Sequence, residues 1–119
     1  MALYTLYHVK PEHFSNIMFA TDVKEYIAEH GFKNVYRNVG MIEADTLDDV
    51  YALTQHLYDS WVLNGRQEGW LHVLFMQSPR STSVNDVIRA STDGSRFIVS
   101  DFGFELLDAD PDLEVDLLP

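Results

Sequence analysis

The chain of 119 residues contains no cysteine. That absence excludes a disulfide framework, cysteine-ligated zinc and a thiol nucleophile, so the fold must be held by its core alone. Basic residues are also scarce: eight Lys and Arg stand against 19 Asp and Glu, a net charge of -11. Phosphate backbones are gripped by clustered cations, so this balance argues against direct binding to nucleic acid. Long apolar runs are missing too. None approaches the ~20 residues that cross a bilayer, and Met1-Ala2-Leu3-Tyr4-Thr5-Leu6-Tyr7-His8 has neither the charged start nor the extended apolar stretch of a signal peptide. A cytoplasmic location and no membrane partner are expected. The six glycines are dispersed and form neither Gly-x-Gly-x-x-Gly nor Gly-x4-Gly-Lys, which removes the phosphate-cradling loops.

What the chain does have is 46% apolar residues, too many for disorder and enough for one compact domain. Leu3 to Val9 reads as a strand ended by Lys10-Pro11. Pro11 to Ala20 shows no clean period. Thr21 or Asp22 caps an expected helix over 22–30 whose inner face is Val23, Tyr26 and Ile27, with Gly31 at its C-terminal end. Asn34 to Glu43 reads as a second strand, in which Gly40 marks a bulge or a close backbone approach. Thr46-Leu47-Asp48-Asp49 is a helix start, and Leu47, Val50, Tyr51, Thr54, Leu57 and Tyr58 recur at helical spacing, so an amphipathic helix is expected over 47–58. Asp59 to Gly69 reads as a connection and Trp70 to Met76 as a strand. The pair Trp61 and Trp70 flanks the polar stretch Asn64-Gly65-Arg66-Gln67-Glu68, which makes one of them a candidate exposed anchor against the commoner fate of core burial. Val84 to Ala90 and Arg96 to Ser100 surround Thr92-Asp93-Gly94-Ser95, a hairpin signal because glycine accepts positive φ without strain.

The expected fold is therefore α+β: an antiparallel sheet of three to five strands with two helices packed on one face, a C-terminal β-hairpin and an acidic C-terminal segment. Residues 1–107 are assigned to the single domain and 108–119 to the acidic tail.

Candidate chemistry is thin. Ser81 and Ser83 with Asp86 and a histidine would need an activated hydroxyl on a strained turn, and no Gly-x-Ser-x-Gly is present. The competing reading of Arg80, Ser81, Ser83 and Asp86 is structural, with the hydroxyls and the carboxylate satisfying backbone amides at a strand entry. The five histidines, His8, His13, His30, His56 and His72, show no metal-ligand spacing. Asp108-x-Asp110-x-Asp112 resembles the start of a calcium loop, but Leu113 takes the glycine position, Pro111 intrudes and Pro119 stands where a Glu is needed. No metal and no cofactor are expected, and the chain is read as not an enzyme, a small hydrolase being the least favoured class.

The C-terminal stretch carries the strongest charge signal. Residues 101–119 hold Asp101, Glu105, Asp108, Asp110, Asp112, Glu114 and Asp116 without one Lys or Arg. Asp112-Leu113-Glu114-Val115-Asp116-Leu117 alternates strictly, so an extended backbone sets three carboxylates on one side at about 6.6 Å intervals and three apolar chains on the other. These seven acids are the candidate partner-binding residues, suited to a basic, nucleic-acid-binding protein. The bland alternative is a solvated terminus that confers solubility.

Arg80-Ser81-Thr82-Ser83-Val84-Asn85-Asp86-Val87-Ile88, followed by a hairpin and Gly103-Phe104, resembles small uncharacterised proteins of phages and mobile elements, including the YodL-like group. Their segment reads Arg-Ser-x-Ser-Val-Gly-Asp-Val-Ile, and the helix ending in Leu53-Thr54-Gln55-His56 before Asp59-Ser60-Trp61 is similar to their upstream Thr-Gln helix. The likeness covers residues 36 to 104. Asn85 replaces the glycine, a mild departure because asparagine tolerates positive φ. The resemblance implies a mobile-element protein acting inside a host cell and supplies no activity. Joined to the acidity, it leads to the expectation of a host-modulating DNA mimic directed at RNA polymerase, a nucleoid protein, a restriction enzyme or a CRISPR effector. The alternative is a small structural or accessory subunit with no inhibitory role.

Overall fold

A computed structural model describes residues 2–56 and 60–109. Within them the chain forms an α+β fold of six strands and five helices, in the order β1 (Ala2–Val9), α1 (Pro11–Met18), α2 (Val23–His30), α3 (Phe32–Val35), β2 (Tyr36–Ala44), α4 (Leu47–Leu53), α5 (Trp61–Glu68), β3 (Leu71–Leu74), β4 (Val87–Ala90), β5 (Ser95–Ser100) and β6 (Gly103–Ala109). The strands make one sheet in the order β3-β2-β1-β4-β5-β6, and every neighbouring pair is antiparallel.

Three details of the expectation need correction. The sheet has six strands where three to five were expected, helices cover both of its faces where one was expected, and the described residues hold five helices where two were expected. The reason for the second lies in β1. From Tyr4 onward every residue of this strand is buried, because side chains alternate between two separate cores. Tyr4 and Leu6 join Val50 of α4 and Trp61 and Val62 of α5 on one side. On the other, Tyr7 and Val9 join Ile17 of α1, Ile27 of α2 and Val35 of α3. A strand with only one polar position, Thr5, between Tyr4 and Tyr7 cannot present a wet face.

A bulge lets β2 serve both cores. Leu6 pairs with Gly40 and Tyr7 with Asn38, so Val39 is an extra residue and the inward parity changes along the strand. Tyr36 faces the first-helix core, whereas Val39, Ile42 and Ala44 face the other. Glycine is required at position 40 because a Cβ there would lie 2.3 Å from the Val73 carbonyl oxygen of β3.

The helix starts follow their capping chemistry. Asp22 accepts from the Glu25 amide and Thr46 from the Asp49 amide, at 3.1 Å each. Gly31 closes α2 at φ 88°. Of the expected 47–58 helix, Leu47–Leu53 is helical, while Leu57 and Tyr58 lie outside the described residues. Two stretches read as irregular are helical. Pro11 fits the first turn of α1, whose missing N–H costs nothing there, and Phe14 and Ile17 turn inward. The segment taken as a connection holds α5, whose buried Trp61, Val62 and Gly65 make a stripe too narrow to dominate a polar composition. Trp61 and Trp70 are both buried and stack with centroids 6.2 Å apart.

The C-terminal hairpin is β4–β5, joined around Asp93 and Gly94, the latter at φ 76°. A further turn at Asp101-Phe102 adds β6, so Asp101, Glu105 and Asp108 sit on or beside the outermost strand. Residues 75–86 link the edge strand β3 to β4. They cross the sheet at the end where Val9 pairs with Tyr36, and this crossing carries the Arg80–Asp86 motif.

Candidate functional site

Asp86 is fully buried and is the hub of the motif. Its two carboxylate oxygens accept from the backbone amides of Val9 at 2.9 Å and Ser83 at 2.8 Å. They also take a two-pronged bond from Arg80, at 2.6 and 2.8 Å. This fork-to-fork geometry suits a guanidinium and no other cation. Arg80 also donates to the Ser81 carbonyl at 2.9 Å and lies over the Phe14 ring of α1. Asn85, directly before the hub, has φ 78°. That left-handed turn lets its amide donate to Val99 O and its carbonyl accept from the Tyr36 hydroxyl, both at 2.8 Å.

The rest of the motif reaches the opposite helices. Ser81 Oγ accepts from the His56 amide, Gln55 donates to the Thr82 carbonyl and the Trp61 indole donates to the Arg80 carbonyl, at 2.8 to 2.9 Å. Ser83 Oγ donates to the Val84 carbonyl at 3.3 Å. The segment thus laces α4 and α5 to β1 and β4.

At its centre, Thr82 Oγ1 lies 3.0 Å from His8 Nε2 and 2.7 Å from Thr54 Oγ1, which lies 2.8 Å from Val50 O. Thr54 Oγ1 donates to Thr82 Oγ1, and the contact between Thr82 and His8 Nε2 links this pair to β1. His8 Nδ1 is buried without a hydrogen-bond partner among the described residues. Burial drives the His8 pKa down to about 4, against the opposing pull of Asp86 and with a smaller push from Arg80. The imidazole is neutral near pH 7.

A hydroxyl, an imidazole and a carboxylate thus come together, but not in nucleophilic wiring. In a triad the carboxylate holds one ring nitrogen while the other faces the hydroxyl. Here Asp86 Oδ2, at 3.8 Å, lies nearest the same Nε2 that bonds Thr82. Thr82 is itself only 1% exposed.

The seven acids are divided. Asp101 and Glu105 are exposed. Glu105 lies 3.3 Å from Lys24 across a solvated surface, and Asp108 is held by a two-pronged bond from Arg96. Arg96 in turn stacks over Phe32 at 4.1 Å. Asp110, Asp112, Glu114 and Asp116 lie outside the described residues. Among the described residues, no group of three or more His, Cys, Asp or Glu is arranged to hold a metal ion.

Beside the motif lies a feature that sequence reasoning missed. A concavity of about 590 Å³ opens where β1 ends, α3 turns and β2 begins, bounded on the far side by Phe75, Met76 and Gln77. Lys10, Lys33 and Arg37 line it together with Tyr7, Phe32 and Tyr36. A smaller hollow of about 260 Å³ shares Lys10 and Arg37 with it and reaches His8 and Arg80. Among the described residues, no Asp or Glu lines either one. The three cations come from three elements and meet only through the β1–β2 register, which sets Arg37 opposite His8. The one linear cue was the scarcity of cations, which made each worth placing.

Comparison with protein-family models, with curated proteins and with solved structures finds no match to this chain.

Proposed function

We propose that this chain is a non-enzymatic binding protein of a phage or mobile element that holds a basic, nucleic-acid-binding host protein through its carboxylates. It would fill a groove that nucleic acid otherwise occupies, on RNA polymerase, a nucleoid protein, a restriction enzyme or a CRISPR effector. The observation that supports this reading is the outer edge of the sheet. There Asp101 and Glu105 alternate with a fully exposed Phe102 and a half-exposed Leu106, and the chain then continues into Asp110, Asp112, Glu114 and Asp116. Basic grooves attract dense carboxylates for the same Coulombic reason that they attract phosphates, and an exposed aromatic among them supplies an apolar anchor. The miswired Thr82–His8–Asp86 cluster speaks against a hydrolase.

One observation favours the second reading, a small accessory subunit whose acidity confers solubility: Lys24 and Arg96 already pair with Glu105 and Asp108 inside the chain. The two readings separate in a pull-down from host lysate at low and at about 0.5 M salt, where screening shortens the reach of charge to a few Å. The mimic captures a basic protein at low salt and releases it at high salt. A variant combining Asp101→Asn, Glu105→Gln, Asp110→Asn, Asp112→Asn, Glu114→Gln and Asp116→Asn then loses roughly tenfold or more in affinity by calorimetry. Asp108 is left in place because Arg96 depends on it. Capture that ignores salt and survives the amides would overturn the mimic.

A further inference from the structure

The basic concavity is out of character with the chain that builds it. Acids outnumber Lys and Arg by 19 to 8 overall, yet four of the eight cations, Lys10, Lys33, Arg37 and Arg80, line the two joined hollows, and among the described residues no Asp or Glu does. Arg80 is committed to Asp86. Among the described residues, no carboxylate forms a salt bridge with Lys10, Lys33 or Arg37. Like charges gathered around one concavity repel each other, and low-dielectric walls focus their field into it. An anion that enters relieves that repulsion, and a doubly charged group meets enough positive charge for both of its own.

The walls add a second requirement. Phe32, Tyr36 and Phe75 line the same space, so the ligand that fits has a flat apolar part as well as an anionic one. The volume lies in the range of small-molecule sites. The frame is rigid where it matters. Tyr36 is fixed by its bond to the Asn85 carbonyl, the Lys10 amide donates to Val35 O at 2.7 Å, and Phe32 is held between Tyr36 and Arg96.

We infer that this concavity binds a small phosphate ester carrying a planar ring, of the nucleoside monophosphate class, with the phosphate at Lys10, Lys33 and Arg37 and the ring against the aromatic wall. The site is separate from the acidic edge and goes beyond the partner binding proposed above. Arg80 stays on Asp86 and takes no part in holding the phosphate.

The test titrates the full chain with AMP, adenosine and inorganic phosphate, each followed by amide NMR shifts and calorimetry. AMP is expected to shift residues 7–10, 32–38 and 75–77 and to bind at least about tenfold more tightly than either half-molecule. Lys33 and Arg37 are exposed, so Lys33→Ala and Arg37→Ala should leave the unfolding temperature in place while each weakens AMP about tenfold and together abolish the shifts. Failure of AMP to shift these residues at about 10 mM would overturn the inference. So would AMP binding that both substitutions leave intact. Inorganic phosphate bound as tightly as AMP would remove the ring from the assignment and overturn it in that form.

Discussion

Replacing Asp86 with Asn should destabilise the fold by about 3 to 5 kcal/mol, the range found when one partner of a buried ion pair is removed. The magnitude follows from what each oxygen holds. Both accept one backbone N–H and one guanidinium N–H, so whichever position receives the new NH2 sets a donor against two donors. The loss comprises one bond from Arg80, the carboxylate charge behind the other, and one buried amide, Val9 or Ser83, left unmatched. Arg80 is 36% exposed and recovers some hydration, which keeps the figure below a simple sum. For a domain of this size, the change lowers the unfolding temperature by roughly 10 to 20 °C. Urea unfolding followed by the fluorescence of Trp61, buried beside the motif, measures it. A double-mutant cycle with Arg80→Met should return a coupling of about 2 kcal/mol or more. An Asp86→Asn variant within about 1 kcal/mol of the parent, or a coupling near zero, would refute the reasoning.

Two further perturbations probe the side of the sheet that α4 covers. His8 is neutral in the folded chain with its pKa driven to about 4, while the unfolded chain takes up a proton near 6.5. Its contribution is therefore full above pH 6.5, falls with pH as the unfolded state gains the proton, and is exhausted near pH 4, a loss of up to about 3 kcal/mol. Urea unfolding at pH 7 and 4.5 should show His8→Asn losing less stability than the parent, and equal losses would sink the argument. Val50 is fully buried between α4 and the sheet, so Val50→Asp should cost several kcal/mol, read as loss of the cooperative thermal transition.

The legible parts of the fold were those written in short-range chemistry. The caps at Asp22 and Thr46, the Asp93-Gly94 turn and the close approach at Gly40 each depend on a few consecutive residues, and each could be read from them. The illegible parts depend on what packs against what. Helix α5 looked like a connection because three inward residues among eight carry little periodic signal until Trp70 and Leu71 are seen to close on Gly65. The second helical layer follows from the two-sided burial of β1, and its near absence of polar residues was the available cue. The motif drew attention to Arg80, Ser81, Ser83 and Asp86 but passed over Thr82, which bonds His8 across 74 positions and Thr54 across 28. Lys10, Lys33 and Arg37 escaped for the same reason, since only strand pairing assembles them.

The strand order also decides whether the two proposed binding surfaces interfere. The cations gather around β1, α3 and β2, whereas the described acids of the C-terminal segment flank or lie on β6. From β2 to β6 the sheet takes four strand steps, through β1, β4 and β5. At about 4.8 Å per step these two strands lie roughly 19 Å apart, more than twice the Debye length of about 8 Å at physiological ionic strength, and Asp108, which lies nearer because its partner Arg96 stacks on Phe32, is neutralised by that pair. The two charge clusters therefore act on their own ligands without cancelling each other through solvent. Arg37→Ala should leave capture of a basic partner unchanged, and the edge amides should leave AMP binding unchanged. The combined variant should then show the sum of the two single effects within about 0.5 kcal/mol. A larger deviation would mean that the sheet itself transmits between the surfaces, with the buried Arg80–Asp86 lacing the first place to look.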